Sequence, residues 1–96
     1  MKPCVCILAS RRNGSLYIGV TTDIRRRLFD HRSGKVPHTR KYRIRRLVYL
    51  EDHPRVEDAI IREKRMKAWK RAWKIQLIEK ANPDWNDLAR QLWWRD

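Results

Sequence analysis

Ser15-Leu16-Tyr17-Ile18-Gly19-Val20-Thr21-Thr22-Asp23-Ile24-Arg25-Arg26-Arg27-Leu28-Phe29-Asp30-His31 is the stretch that decides the fold. It reads as a short strand, Leu16 to Val20, running into a helix. Thr21-Thr22-Asp23 offers side-chain oxygens to cap the first helical N–H groups, and Ser33-Gly34 ends the helix. Ile24, Leu28 and His31 make one stripe, whereas Arg25, Arg26 and Arg32 lie elsewhere. Tyr17 stands ten residues before Arg27, and His31 follows Arg27 by one helical turn, so Arg27 and His31 share a face. A phenol, a guanidinium and an imidazole converging at a strand-helix junction suit chemistry on a phosphodiester. One can handle a proton, one can hold a phosphate, and one can do either.

Upstream, Val5-Cys6-Ile7-Leu8-Ala9 is apolar and β-compatible, and Asn13-Gly14 signals a hairpin turn back into Leu16. Downstream, residues 35–46 read as a basic loop with one proline, and Leu47 to Glu51 as a third strand. Pro54 suits the first turn of a second helix reaching about Lys70, with Val56, Ala59, Ile60 and Met66 as its apolar stripe. A third helix, about Ala72 to Lys80, buries Trp73, Ile75, Leu77 and Ile78 in some combination. Asn82-Pro83 breaks it, and a short last helix covers about Asp84 to Leu92. The expected fold is α+β, a small three-stranded antiparallel sheet flanked by helices.

Ninety-six residues, 42% of them hydrophobic, fit one domain over residues 1–96 with a modest core. No apolar run approaches the ~20 residues of a membrane span, and the N-terminal run is too short for a signal peptide. The expected location is the cytoplasm, with no membrane partner. Cys4 and Cys6 point to one strand face, too close in sequence to staple the chain and not at zinc-ligand spacing; they read as small buried side chains. The net charge is +13, from 24 Lys and Arg against 11 Asp and Glu. So strong a positive potential makes nucleic acid the expected partner, with anionic membranes or plain solubility as the alternatives. The charge is spread over Arg25 to Arg27, Arg40 to Arg46 and Arg62 to Lys74, which favours a folded basic face over a tail.

Glu63 falls on the stripe of the second helix, seven after Val56 and three before Met66. A carboxylate there must be paired or metal-bound, because an isolated buried charge is too costly. An ion pair with an arginine and a hard-cation ligand both answer that need. Tyr17 in a strand is either a packing partner or a reactive phenol, and His31 either a half-buried polar residue or a proton shuttle. Asn82 is either a helix-breaking Asn-Pro or an amide free to bond. The five tryptophans, Trp69, Trp73, Trp85, Trp93 and Trp94, read mostly as contacts between the later helices, with Trp93-Trp94 covering the core.

Taken in order, Tyr17-Ile18-Gly19, then Ala59-Ile60-Ile61-Arg62-Glu63-Lys64, then Leu77 to Trp85 resemble the motifs of the GIY-YIG nuclease superfamily. The resemblance runs from about residue 4 to about residue 88 and points to a small stand-alone member. It implies a reaction-centre tyrosine at Tyr17, a phosphate-contacting arginine at Arg27, a frequent histidine at His31 and the single metal-binding glutamate at Glu63. It also implies a site-shaping Gly19 and an asparagine near the site at Asn82. The family's first tyrosine falls on Cys6, whose thiol is a poorer and shorter donor.

The function this implies is a divalent-metal-dependent endonuclease hydrolysing DNA phosphodiester bonds, with Mg²⁺ or Mn²⁺ as its one cation. Arg25, Arg26, Arg40 and Lys41 are the expected nucleic-acid contacts. The alternative is a weak or inactive nucleic-acid-binding module on the same scaffold, favoured by Cys6. A third possibility is a basic protein that docks through Trp93-Trp94.

Overall fold

The computed structural model describes residues 2–90. Three strands and four helices follow one another as β1 (Cys4–Ala9), β2 (Leu16–Thr21), α1 (Ile24–Arg32), α2 (Pro37–Lys41), β3 (Arg46–Asp52), α3 (Val56–Ala68) and α4 (Arg71–Ala81). The fold is α+β, as expected. The sheet order is β2-β1-β3, and both pairings are antiparallel.

β1 is the central strand, and all six of its residues are buried. That explains why its sequence does not alternate, since both faces are covered. Cys4, Cys6 and Leu8 face α1, packing with Ile24, Leu28, Ile44 and Leu47. Val5, Ile7 and Ala9 face the other way, against Ala59 and Met66 of α3, Ile78 of α4, and Trp85. Between Ile7 and Leu8 the β1–β3 register shifts, so Tyr49 and Leu47 face them and Val48 is the extra residue of a bulge.

The hairpin forms where expected, but not as a two-residue turn. Asn13 takes the left-handed conformation at φ 57°, and Ser10 N–H donates to Ser15 O at 3.0 Å across the loop. Gly14 is required by crowding. A Cβ there would stand 3.0 Å from Arg11 N and closer still to Ser10 Oγ. Asp23 caps α1 by accepting from Arg26 N–H at 3.1 Å, and Gly34 closes it at φ 81°.

Residues 35–46 are not all loop. α2 occupies Pro37–Lys41, too short to display a periodic stripe. In α3, Ala59 and Met66 are buried, but Val56 (37%) and Ile60 (40%) are exposed. Both lie on flanks of the helix that clear the sheet. In α4, Ile78 is buried while Trp73 is half exposed. Residues 83–88 form turns rather than the first part of a helix, with Trp85 buried and left-handed at φ 57°. Trp93, Trp94 and the rest of 91–96 lie outside the described residues.

Candidate functional site

β2 is an edge strand, and it brings Tyr17 and Gly19 to the face that α1 covers. Arg27 Nη2 donates to Tyr17 Oη at 3.4 Å. The phenol oxygen accepts this bond, which leaves its own hydrogen to donate outward. Gly19 makes the pairing possible. A Cβ at position 19 would stand 3.1 Å from Tyr17 Cε1 and 3.7 Å from Arg27 Nη2, so the bare backbone is what the ring and the guanidinium lie across. Arg27 Nε is buried with no acceptor, leaving the guanidinium short of one bond.

His31 packs on the Tyr17 ring, with centroids 4.8 Å apart. It is fully buried. Its Nδ1 lies 2.8 Å from Thr39 Oγ1, and that hydroxyl also reaches Val36 O at 3.2 Å. Nε2 is buried with no partner. Burial first, and then the charge of Arg27, hold the imidazole below the ordinary histidine range, with Asp30 opposing. The ring is neutral at pH 7. Thr39 had no signal in the sequence: it sits in a helix too short to show a pattern.

Cys6 is fully buried and pairs with Gly19 across the β1–β2 ladder. Burial first and then Cys4 push its thiol up to about 12, with Glu63 also raising it, while Arg27 and the Gly19 backbone pull the other way. The Cys6 thiol is thus protonated, and Arg27 and Glu63 both lie within electrostatic reach of it.

Glu63 keeps 19% of its side-chain surface, and its Oε1 lies 3.4 Å from Lys67 Nζ. The partner is a lysine one turn on, not the arginine the sequence suggested. Lys67 in turn lines a cavity of about 280 Å³ with Leu16, Tyr17, Ile18, His38 and Lys74. That cavity laps the free edge of β2, so Tyr17 meets it from one face of the sheet and the α3 lysine from the other. His38 lies 6.5 Å from the Tyr17 ring and 5.0 Å from that of Tyr42, which extends the aromatic tier outward.

Among the described residues no three carboxylate, imidazole or thiol groups gather around a common point. Glu63, the residue the sequence singled out as a cation ligand, offers one carboxylate. That suits a hard, well-hydrated divalent cation whose remaining ligands are water and phosphate oxygens, and it does not suit an all-protein cage.

Arg25, Arg26, Arg40 and Lys41 are exposed. The first two stand on α1 and the others on α2, which the His31–Thr39 bond ties to α1. Asn82 has a different setting. It is 5% exposed, and its Nδ2 donates to Val48 O at 3.1 Å and Asn86 O at 2.8 Å. Its Oδ1 accepts from Asn86 N–H at 3.0 Å. One bond joins the end of α4 to β3 and two close the turn at Asn86, so the amide is not free.

A second polar cluster escaped the sequence. Glu51 accepts from Tyr49 Oη, from Arg62 Nε at 2.8 Å, and lies 2.8 Å from His53 Nε2. Arg62 also covers the Trp69 ring at 5.0 Å. The Tyr49-x-Glu51-x-His53 alternation, running along β3 and one residue past its end, was its only trace.

The model of the GIY-YIG catalytic domain matches residues 2–76. A UPF0213 protein of Streptococcus pneumoniae is 40% identical over 79 residues, which is 81% of this chain and 79% of that one. A UPF0213 protein of Bacillus pumilus is 41% identical over 68 residues, covering 70% of this chain and 69% of its own. The solution NMR structure of a UPF0213 protein from Bacillus halodurans superposes with a TM-score of 0.57 at 34% identity, covering 94% of this chain and 96% of that chain. The chain belongs to the GIY-YIG catalytic-domain family.

Proposed function

We propose that this protein is an endonuclease that hydrolyses DNA phosphodiester bonds with one divalent cation, Mg²⁺ or Mn²⁺, held by Glu63. The observation that carries the reading is the Tyr17–Arg27 pair laid over Gly19 at 3.4 Å. It joins a hydroxyl that can donate outward to a part-buried guanidinium. A phosphate oxygen can accept from that hydroxyl, and Arg27 beside it then stabilises the charge that develops. Tyr17 orients the attacking water or takes its proton. His31 packs against the Tyr17 ring and, held neutral, is the nearby imidazole the reading assigns to proton handling. The cation, when bound, supplies polarisation of the phosphate. Exposed Arg25, Arg26, Arg40 and Lys41 supply the surrounding positive potential that attracts the strand.

The test is nicking of supercoiled DNA with Mg²⁺ or Mn²⁺ and with chelator. Cutting that requires the cation and vanishes in Glu63→Ala, while the variant stays folded, is expected. No metal-dependent nicking by the wild type across duplex, single-stranded and branched substrates would defeat the reading.

A second reading is a nucleic-acid-binding module that cuts weakly. Its support is the closed, protonated Cys6, with thiol pushed to about 12, where the family has a tyrosine. Cys6→Tyr separates the two. The added ring overfills a closed layer, so Tm should fall. A rise in nicking per folded molecule identifies the missing hydroxyl as the limit on the rate.

A further inference from the structure

We infer that a second anion-binding pocket, lined by Arg32, Arg43, Arg45 and Arg46 beyond the C-terminal end of α1, holds a phosphate group. Residues 10, 32, 43, 45, 46 and 87 line an open, shallow depression of about 420 Å³. Four guanidiniums face one carboxylate there. Asp87 is already spoken for. It pairs with Arg32, and its Oδ1 accepts from Leu47 N–H at 3.3 Å and Ala89 N–H at 3.0 Å.

Arg32 Nε also donates to Arg45 O at 3.1 Å, and Arg46 Nη1 to Trp85 O at 3.2 Å. These bonds fix two walls of the pocket. The guanidiniums of Arg43 and Arg45 have no partner among the described residues. Guanidinium forks match the oxygens of a phosphate, which accepts two parallel N–H bonds from each. Ser10 adds a hydroxyl. Its Oγ accepts from Ser15 N–H at 2.9 Å, so its hydrogen remains to donate.

The backbone supplies an independent sign. Arg43 sits left-handed at φ 55°, where glycine or asparagine would be at ease and arginine is strained. The turn itself is fixed by Arg43 N–H to Arg40 O at 3.3 Å and Ile44 N–H to Thr39 O at 2.8 Å. An arginine held there against local preference marks a place where the charge is used.

α1 connects this pocket with the first site. Arg27 stands at one, and Arg32, about 140° further around the helix, at the other. A backbone phosphate near the cut is the occupant in view, and this identity of the ligand rests on the nuclease reading. A strand-terminal phosphate or free phosphate shares the chemistry.

The experiment titrates the whole protein with three probes: a 5′-phosphorylated oligodeoxynucleotide, the same oligonucleotide without the end phosphate, and inorganic phosphate. The side-chain Nε–Hε signals of Arg43 and Arg45 report occupancy in the wild type. Affinities are compared among the wild type, Arg43→Asn/Arg45→Gln and a control pair, Lys64→Gln/Arg65→Gln, on the exposed side of α3. Asn is chosen because it tolerates the left-handed backbone.

The pocket variant should bind oligonucleotide at least tenfold more weakly, with the slope of log affinity against log salt shallower by about 1.5. The control should lose less than threefold. Equal losses in the two pairs, or arginine signals that no probe moves, would overturn the inference while leaving the nuclease reading intact. Absent nicking, with the difference between pairs retained, would remove the nuclease reading and keep the pocket. Preference for the phosphorylated oligonucleotide identifies a strand end. Saturation by inorganic phosphate with no competition from either oligonucleotide identifies a free ion and overturns the assignment to a strand.

Discussion

Glu51 and Glu63 keep the same 19% of side-chain surface, yet their surroundings differ completely. Glu51 is met by a phenol, an imidazole and a guanidinium, the last two with contacts at 2.8 Å. Burial alone would raise its carboxyl, but the bonds from Arg62, Tyr49 and His53 outweigh that and hold it below the ordinary range. Glu63 has one lysine at 3.4 Å. Exposure therefore does not distinguish the two carboxylates. The count of partners does, since a saturated carboxylate has nothing left to offer a ligand.

The largest contrast should come from replacing each in turn. Glu63→Ala is expected to cut metal-dependent nicking by about 10³-fold, some 4 kcal/mol of barrier, with Tm within a few degrees of wild type. Glu51→Ala should do the reverse. Stranding Arg62 and Tyr49 costs about 2 kcal/mol, which lowers Tm by about 10 °C in a domain of this size. Nicking per folded molecule should persist. If Glu51→Ala abolishes cutting at full stability, the comparison collapses.

Gly19→Ala probes the same division from the other strand. Its Cβ crowds Tyr17 Cε1 at 3.1 Å, so the ring must shift by a few tenths of an ångström. Activity should fall about tenfold, since misplacement at the reacting group is costly, with little change in thermal unfolding.

The smallest effect is in pH dependence. Glu51 has a lowered carboxyl in the folded state, so the unfolded chain binds its proton first as pH falls. Its stabilisation is whole above the unfolded glutamate value of about 4.3 and is lost as pH drops through the folded value. Glu51→Ala should flatten that acid limb of the Tm profile. His31 acts one window higher. Its lowered folded value costs stability as pH falls below about 6.5, where the unfolded imidazole gains a proton that the folded one refuses. His31→Gln should remove that step.

What the sequence disclosed follows from range. The hairpin, the Asp23 cap and the Tyr17–Arg27 spacing are local features, and each has a short-range signal. The Glu63 stripe was legible because Ala59, Glu63 and Met66 do face inward, although Val56 and Ile60 do not. A repeat of 3.6 locates a face without saying how far the sheet extends beneath it. Thr39, Asp87 and the partners of Glu51 were invisible for a different reason. Their bonds join residues whose approach depends on how whole elements dock. Asn82 illustrates the limit: its motif position was clear, but only β3 decides that its amide is taken.

β1 lies between β2 and β3, and that order divides the site in time as well as in space. The β1–β2 hairpin and α1 lie within the first 32 residues, so their contacts close through short loops. β3 must return across a much longer loop to reach the other side of β1, and α3 follows it. Long-range pairing of this kind forms late. A chain still emerging, or one that has partly unfolded, would then carry Tyr17, Arg27 and His31 without the Glu63 carboxylate. Under the proposed function, such a half-made molecule can hold a strand but not cut it.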